Sequence, residues 1–125
     1  MTEHLDRWPE LLRDIALELG EPAALRLAEA LGGQRVYIPE AGLKGSHDNQ
    51  IDKKTLQLLR TYYAGATVVI PNFKARIADE RRRYVLARPD VEVNELAATL
   101  GITYRRVQQI REQSRIDPRQ LSLFD

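Results

Sequence analysis

The sequence predicts a mainly α-helical protein with short β-strands, an α+β fold, and three observations support this prediction. Apolar residues recur at three- and four-residue spacing through most of the chain. Two short runs rich in β-branched residues, each closed by a proline, interrupt that helical pattern. Further on, a glycine separates two short amphipathic segments. We therefore expect a helix–strand domain over residues 1–71, a three-helix unit over 72–117 and a tail over 118–125.

Composition narrows the possible function classes. The 125 residues are enough for one domain or two small ones, and 43% apolar with 30% charged residues is typical of a soluble globular protein. The chain has no cysteine, which excludes disulfides, a thiolate nucleophile and cysteine-based metal sites. It shows neither a signal-peptide pattern nor an apolar run of about 18 residues. We expect a cytoplasmic protein without a metal ion or cofactor.

The first two helices are predicted from apolar spacing and from the residues that end them. The first helix carries its apolar face on Trp8, Leu11, Leu12, Ile15 and Leu19. Gly20 ends that helix, and the second covers residues 21–31 with Pro22 in its first turn. Two glycines at 32 and 33 stop the second helix.

A helix–glycine–strand–proline pattern then occurs twice. The first strand contains Val36, Tyr37 and Ile38 before Pro39; a third helix over 52–64 leads to Val68, Val69 and Ile70 before Pro71. Aligning residues 24–39 with 56–71, a shift of 32, gives identities at Leu27/Leu59, Gly33/Gly65, Val36/Val68, Ile38/Ile70 and Pro39/Pro71. These identities suggest an internal repeat, with chance similarity of short amphipathic segments as the alternative.

A single short strand cannot satisfy its own backbone hydrogen bonds. The two predicted strands must therefore pair with each other, with a second chain, or both. This makes the N-terminal part of the chain a candidate dimerisation domain.

The loop over residues 40–50 contains Ser46, His47 and Asp48 in succession. Adjacent loop residues rarely converge as a catalytic triad, which is defined by geometry rather than by sequence order. We expect no enzymatic activity, and we expect His4 and His47 to be exposed residues without a catalytic role.

The three-helix unit begins with a helix over residues 73–88 that directs Phe73, Ile77, Tyr84 and Val85 toward a core. The helix also contains Arg81, Arg82 and Arg83, which point about 100° apart and so cannot share one target. We expect one or two of these arginines to contact phosphate.

The stretch 93–112 has the spacing of a helix-turn-helix. Its first segment places Leu96, Ala97 and Leu100 on one face, and Gly101 follows at the expected turn. Thr103 is expected to cap the second segment, which buries Val107 and Ile110. A small residue such as Ala97 lets the two helices cross closely. The alternative is a helical hairpin whose polar face is only solvated.

The polar face of the second segment carries residue types suited to double-stranded DNA, because Arg pairs with guanine and Gln with adenine. The candidate base-contact residues are Thr103, Tyr104, Arg105, Gln108 and Gln109. The candidate phosphate contacts are Arg81, Arg82, Arg83, Arg106 and Arg111. Charge is distributed accordingly: residues 1–71 carry 8 Lys/Arg and 10 Asp/Glu, whereas residues 72–125 carry 11 and 8.

Three motifs resemble the Mor/C family of phage Mu-type middle and late transcription activators. They are RWPELL (residues 7–12), AEALGGQRVYIP (28–39) and VNELAATLGITYRRVQQI (93–110), of which the glycine–strand–proline element is the most specific. The resemblance implies an N-terminal dimerisation domain, a C-terminal helix-turn-helix, binding of a homodimer to an imperfect inverted repeat, and contact with bacterial RNA polymerase. The shorter phage Mu members lack the second helix–strand unit, residues 40–71 here.

The last residues, QLSLF at 120–124, resemble the short peptides by which bacterial proteins dock on the replication sliding clamp. Gln120, Leu121, Leu123 and Phe124 would be the docking residues. The alternative is that the apolar residues of the tail fold back onto the DNA-binding unit. A DNA-associated interaction module that recruits the clamp is therefore the competing function.

Overall fold

The computed structural model describes residues 3–114, and it divides the chain into two compact units. The first unit ends at Ile77 and the second begins at Ala78. The α+β class predicted from the sequence is confirmed, since the described residues form six α-helices and one two-stranded antiparallel sheet. Among these residues, no helix has both the length and the apolar character that a bilayer crossing requires.

The first unit consists of three α-helices, two strands, two short 3₁₀ turns and the first residues of a fourth helix. Its helices are α1 (Glu10–Leu19), α2 (Glu21–Leu31) and α3 (Lys53–Tyr63), its strands are β1 (Arg35–Ile38) and β2 (Ala66–Val69), and its 3₁₀ turns cover Glu3–Arg7 and Asp48–Gln50. Helix α1 packs against both α2 and α3. Helix α2 is largely enclosed because small residues, Ala24 and Ala28, allow close approach; both are fully buried.

An aromatic pair closes one side of this core. Trp8 and Phe73 are each 3% exposed, and their ring centroids lie 5.1 Å apart. The guanidinium of Arg76 lies 4.9 Å from the centroid of Phe73, and its Nη1 donates to the carbonyl of Arg7 at 2.9 Å. Trp8 thus reports on the folding of the first unit, since it is the only tryptophan in the chain.

The two strands pair with each other within the chain, which is the first of the pairings that the sequence left open. They are antiparallel, with Val36 opposite Val68 and Ile38 opposite Ala66. The amide of Gly33 donates to the carbonyl of Ile70 at 2.7 Å, and the amide of Gly65 donates to the carbonyl of Ile38 at 2.8 Å. Both glycines have positive φ, 83° and 79°, a conformation that favours glycine.

The predicted dimerisation strand residues divide between the two faces of this sheet. Val36 and Ile38 are fully buried, and so is Ile70, which lies just beyond β2. Tyr37 and Val69 are exposed, by 44% and 58%, and Val68 is half-buried. Burial alternates along β1 because successive side chains point to opposite faces of a strand.

The second unit contains most of α4 (Lys74–Leu86), together with α5 (Val93–Leu100) and α6 (Tyr104–Ser114). The division between the units falls inside α4, between Ile77 and Ala78, whereas the sequence predicts a domain boundary after residue 71. Within the predicted core of α4, Ile77 and Val85 are buried but Tyr84 is only half-buried. Tyr84 instead stacks on Arg88, whose guanidinium carbon lies 3.5 Å from the ring centroid.

Candidate nucleic-acid interface

Helix α5 and the turn that follows it are shaped by three apolar residues and one glycine. Leu96, Ala97 and Leu100 are buried. Gly101 then adopts the left-handed conformation, with φ 70° and ψ 33°. The amides of Gly101 and Ile102 both donate to the carbonyl of Ala97, so the carbonyl at the helix end is satisfied and the chain reverses within two residues.

Helix α6 begins at a side-chain cap and packs on α5. The hydroxyl of Thr103 accepts a hydrogen bond from the amide of Arg106 at 3.1 Å, which confirms the predicted cap. Val107 is fully buried and Ile110 is 2% exposed, and the two helices are in contact. Burial on one side of α6 therefore directs the opposite side to solvent.

That opposite side carries most of the predicted base-contact residues. Tyr104, Arg105 and Gln108 are exposed on α6, Thr103 is exposed at its cap, and Gln109 is half-buried. At about 100° per residue, Tyr104, Gln108 and Arg105 fall within an arc of roughly 100°. The structure thus brings four of the five candidates to one exposed surface, the reading face, which we define as Thr103, Tyr104, Arg105 and Gln108.

The predicted phosphate contacts differ in their accessibility. Arg82, Arg83 and Arg106 are exposed, whereas Arg81 and Arg111 are half-buried. Nη1 of Arg83 lies 3.6 Å from the carboxylate of Glu80. Burial, followed by the nearby cation of Arg106, lowers the pKa of Arg81 below its ordinary value. Arg106 is thus the exposed member of a cationic pair formed by α4 and α6.

Arg111 is hydrogen-bonded to backbone carbonyls within the second unit. Its Nη2 donates to the carbonyl of Arg88 at 3.1 Å and also to the carbonyl of Val91. Its Nε atom is buried and makes no hydrogen bond within the described residues. Sequence reasoning missed this role, although one signal was present: Arg111 lies four residues after Val107, next to the buried stripe of α6.

The serine, histidine and aspartate of the 40–50 loop do not form a relay. Nδ1 of His47 lies 3.2 Å from the hydroxyl of Ser46, but the carboxylate of Asp48 accepts the amide of Gly45 at 2.9 Å. Asp48 thus stabilises its own turn. The expectation that His4 and His47 are exposed is wrong, because both are half-buried. His4 is also hydrogen-bonded to the carboxylate of Glu21.

Substitution of Gly101 tests the turn between α5 and α6. We expect Gly101→Ala to destabilise the second unit by about 1 kcal/mol, because a Cβ is disfavoured in the left-handed region. Protection of the Ile102 amide against hydrogen exchange, which depends on its bond to Ala97, should fall about fivefold. Gly101→Asn is the matched control, since Asn tolerates this conformation, and it should lose less protection. Equal protection in alanine and wild-type proteins would contradict the turn geometry.

The predicted clamp-docking residues of the tail, Gln120, Leu121, Leu123 and Phe124, lie outside the described residues. Comparison of the chain with protein-family models, with curated proteins and with solved structures finds no match.

Proposed function

We propose that this chain is a sequence-specific DNA-binding transcription regulator of the Mor/C activator type, in which α5, its turn and α6 form the helix-turn-helix. The observation that carries the proposal is the arrangement of α6. Val107 and Ile110 are buried, while Tyr104, Arg105 and Gln108 share an exposed arc. A helix that packs by one side and presents polar residues on the other is suited to the major groove.

The chemistry of the reading face fits base recognition. Arg105 offers a planar fork of donors suited to O6 and N7 of guanine, and Gln108 can pair with N6 and N7 of adenine. Thr103 and Tyr104 lie at the N-terminal end of α6, where hydroxyl groups suit phosphate or a base edge. Arg106 and the exposed Arg82 and Arg83 are the side chains that would neutralise backbone phosphates.

We further propose that the first unit arose by duplication of one helix–strand element. Helices α2 and α3 begin and end 32 residues apart, which is the spacing of the sequence repeat. Val36 lies opposite Val68, its equivalent in the repeat, so a local two-fold axis would pass between them. The reciprocal bonds of Gly33 to Ile70 and Gly65 to Ile38 obey the same symmetry. This agreement of register with repeat length supports duplication over chance similarity of two amphipathic segments.

The remaining parts of the proposal rest on the resemblance to the family: a homodimer on an inverted repeat, and activation through RNA polymerase. Because β1 and β2 pair within the chain, the strand edges that face each other are already occupied. A homodimer of this protein would therefore use a surface other than those edges.

Selection of bound duplexes from a random-sequence pool tests the proposal. We expect enrichment of one sequence motif, with binding that weakens steeply as salt rises. An enriched inverted repeat would support the homodimer, and its spacing would give the distance between reading helices. A single unrepeated motif would support sequence recognition by one chain and count against the dimer. Salt-sensitive binding without any enriched motif would contradict sequence-specific recognition.

A further inference from the structure

Two arginine side chains, Arg88 and Arg111, hold the turn between α4 and α5 by hydrogen bonds to backbone carbonyls. At its beginning, Nη1 of Arg88 donates to the carbonyl of Tyr84 at 3.0 Å, and the guanidinium stacks on the Tyr84 ring. Further along, the amide of Val91 donates to the carbonyl of Arg88 at 3.3 Å. The turn is therefore tied to the end of α4 before α5 begins.

Arg111 connects this turn to the helix that carries the reading face. Its Nη2 donates to the carbonyls of Arg88 and Val91, one at each end of the same turn. Both bonds are charge-assisted, a class roughly twice as strong as neutral hydrogen bonds. The link is one helical turn past Val107, whose burial holds the middle of α6.

We propose that Arg111 is a positioning residue for DNA recognition, which fixes the orientation of α6 relative to the α4–α5 turn and does not itself bind phosphate. This inference rests on the proposed DNA-binding function. Its Nη2 is engaged by two carbonyls and its Nε is buried without a hydrogen-bond partner, so a phosphate could reach these two donors only by breaking those bonds or by entering the interior of the unit. Arg106, on the same helix, is exposed and is the corresponding phosphate-binding side chain.

Arg111→Met and Arg106→Met form a matched pair, because both remove one cation from α6 and retain an unbranched side chain. A phosphate contact contributes about 0.9 to the slope of log affinity against log salt concentration. We expect Arg106→Met to reduce that slope by about 0.9 and to weaken binding to all duplexes alike. We expect Arg111→Met to leave the slope unchanged and to lower the ratio of specific to non-specific affinity about tenfold.

The two affinities are measured on the duplex recovered from the random pool and on a scrambled duplex of equal length. Simple loss of folded protein would lower both affinities equally and leave their ratio unchanged, so the ratio separates positioning from stability. A smaller salt slope in Arg111→Met, with the ratio unchanged, would overturn the proposal.

Hydrogen exchange of the Val91 amide provides a readout that needs no DNA. We expect exchange to accelerate about tenfold in Arg111→Met and to stay unchanged in Arg106→Met, because only the first change releases the turn. Equal exchange in both variants would count against the link. If wild-type protein binds no duplex specifically, the proposed function fails and the positioning role falls with it, while the exchange result still shows whether Arg111 holds the turn.

Arg111→Lys covers the case in which the methionine variant does not fold. Lysine keeps the charge but replaces the planar fork of donors with a single ammonium group. A phosphate contact would survive this change with little loss. A positioning role predicts a lower specificity ratio at an unchanged salt slope, and retention of the wild-type ratio would overturn the proposal.

Discussion

Replacement of Ile38 by aspartate is expected to unfold the first unit. Ile38 is fully buried on β1, and its carbonyl accepts the amide of Gly65. The substitution removes a buried apolar side chain, at a cost of about 2–5 kcal/mol. It also buries a carboxylate without a hydrogen-bonding or charged partner. The combined cost approaches the whole stability of a small domain, about 5–15 kcal/mol. Trp8 fluorescence at equilibrium should therefore resemble that of the urea-unfolded protein.

Tyr37→Asp is the control on the same strand. Tyr37 is 44% exposed on the opposite face of β1, so its replacement leaves the core intact. We expect a loss of about 1 kcal/mol or less, seen as a small shift of the urea midpoint with native Trp8 fluorescence in buffer. If the two aspartate variants were equally destabilised, the assignment of inner and outer faces to β1 would be wrong.

Much of the fold could be predicted from the sequence because glycine and proline mark the ends of its elements. The strand residues 35–38 follow a glycine pair and precede Pro39, and the observed β1 has the bounds Arg35–Ile38. Helix α3 likewise stops just before Gly65. These signals are local: a conformation required at one residue limits its immediate neighbours.

The pairing of the strands could not be predicted, because it depends on two segments about thirty residues apart. The sequence requires each strand to find a partner, but it does not say whether the partner lies in the same chain. Apolar alternation does identify which side chains of β1 are buried. Choosing between intrachain and interchain pairing requires the path of the connecting loop and of α3, where Arg60 donates to the carbonyls of Pro39 and Leu43.

At the candidate site, too, the sequence predicts local structure but not contacts between distant segments. The exposure of Tyr104, Arg105 and Gln108 follows from the 3.6-residue period, once Val107 and Ile110 are taken as buried. The period places Arg106 and Arg111 on the two flanks of the buried stripe of α6, but it does not show where either long guanidinium side chain ends. Arg111 reaches a turn about twenty residues earlier in the chain, whereas Arg106 remains exposed. The partner of a long side chain depends on which segments the fold brings near it, and the helical period alone does not give this.

If the proposed function is correct, replacement of Arg105 or Gln108 by alanine is expected to relax base preference. Each alanine substitution should cost about 1–3 kcal/mol of discrimination at one position of the recognised motif, because the paired base edge loses its bidentate partner. Both side chains are exposed in the protein alone, so neither change should disturb the packing of Val107 and Ile110. The measurement is a repeat of the random-pool selection with each variant, followed by affinities for duplexes altered at single positions.

Arg82→Ala is the control that separates recognition of bases from electrostatic binding to the phosphate backbone. Arg82 is exposed on α4, and we expect its loss to weaken binding to all sequences alike while the enriched motif stays the same. Arg105→Ala should also reduce the salt slope little if its guanidinium faces a base rather than a phosphate. If Arg105→Ala and Gln108→Ala left every position of the motif unchanged, while Arg82→Ala altered one of them, then α4 and not α6 would be the helix in the groove. The assignment of the reading face therefore depends on which helix's variants change the motif, rather than on which variants bind more weakly.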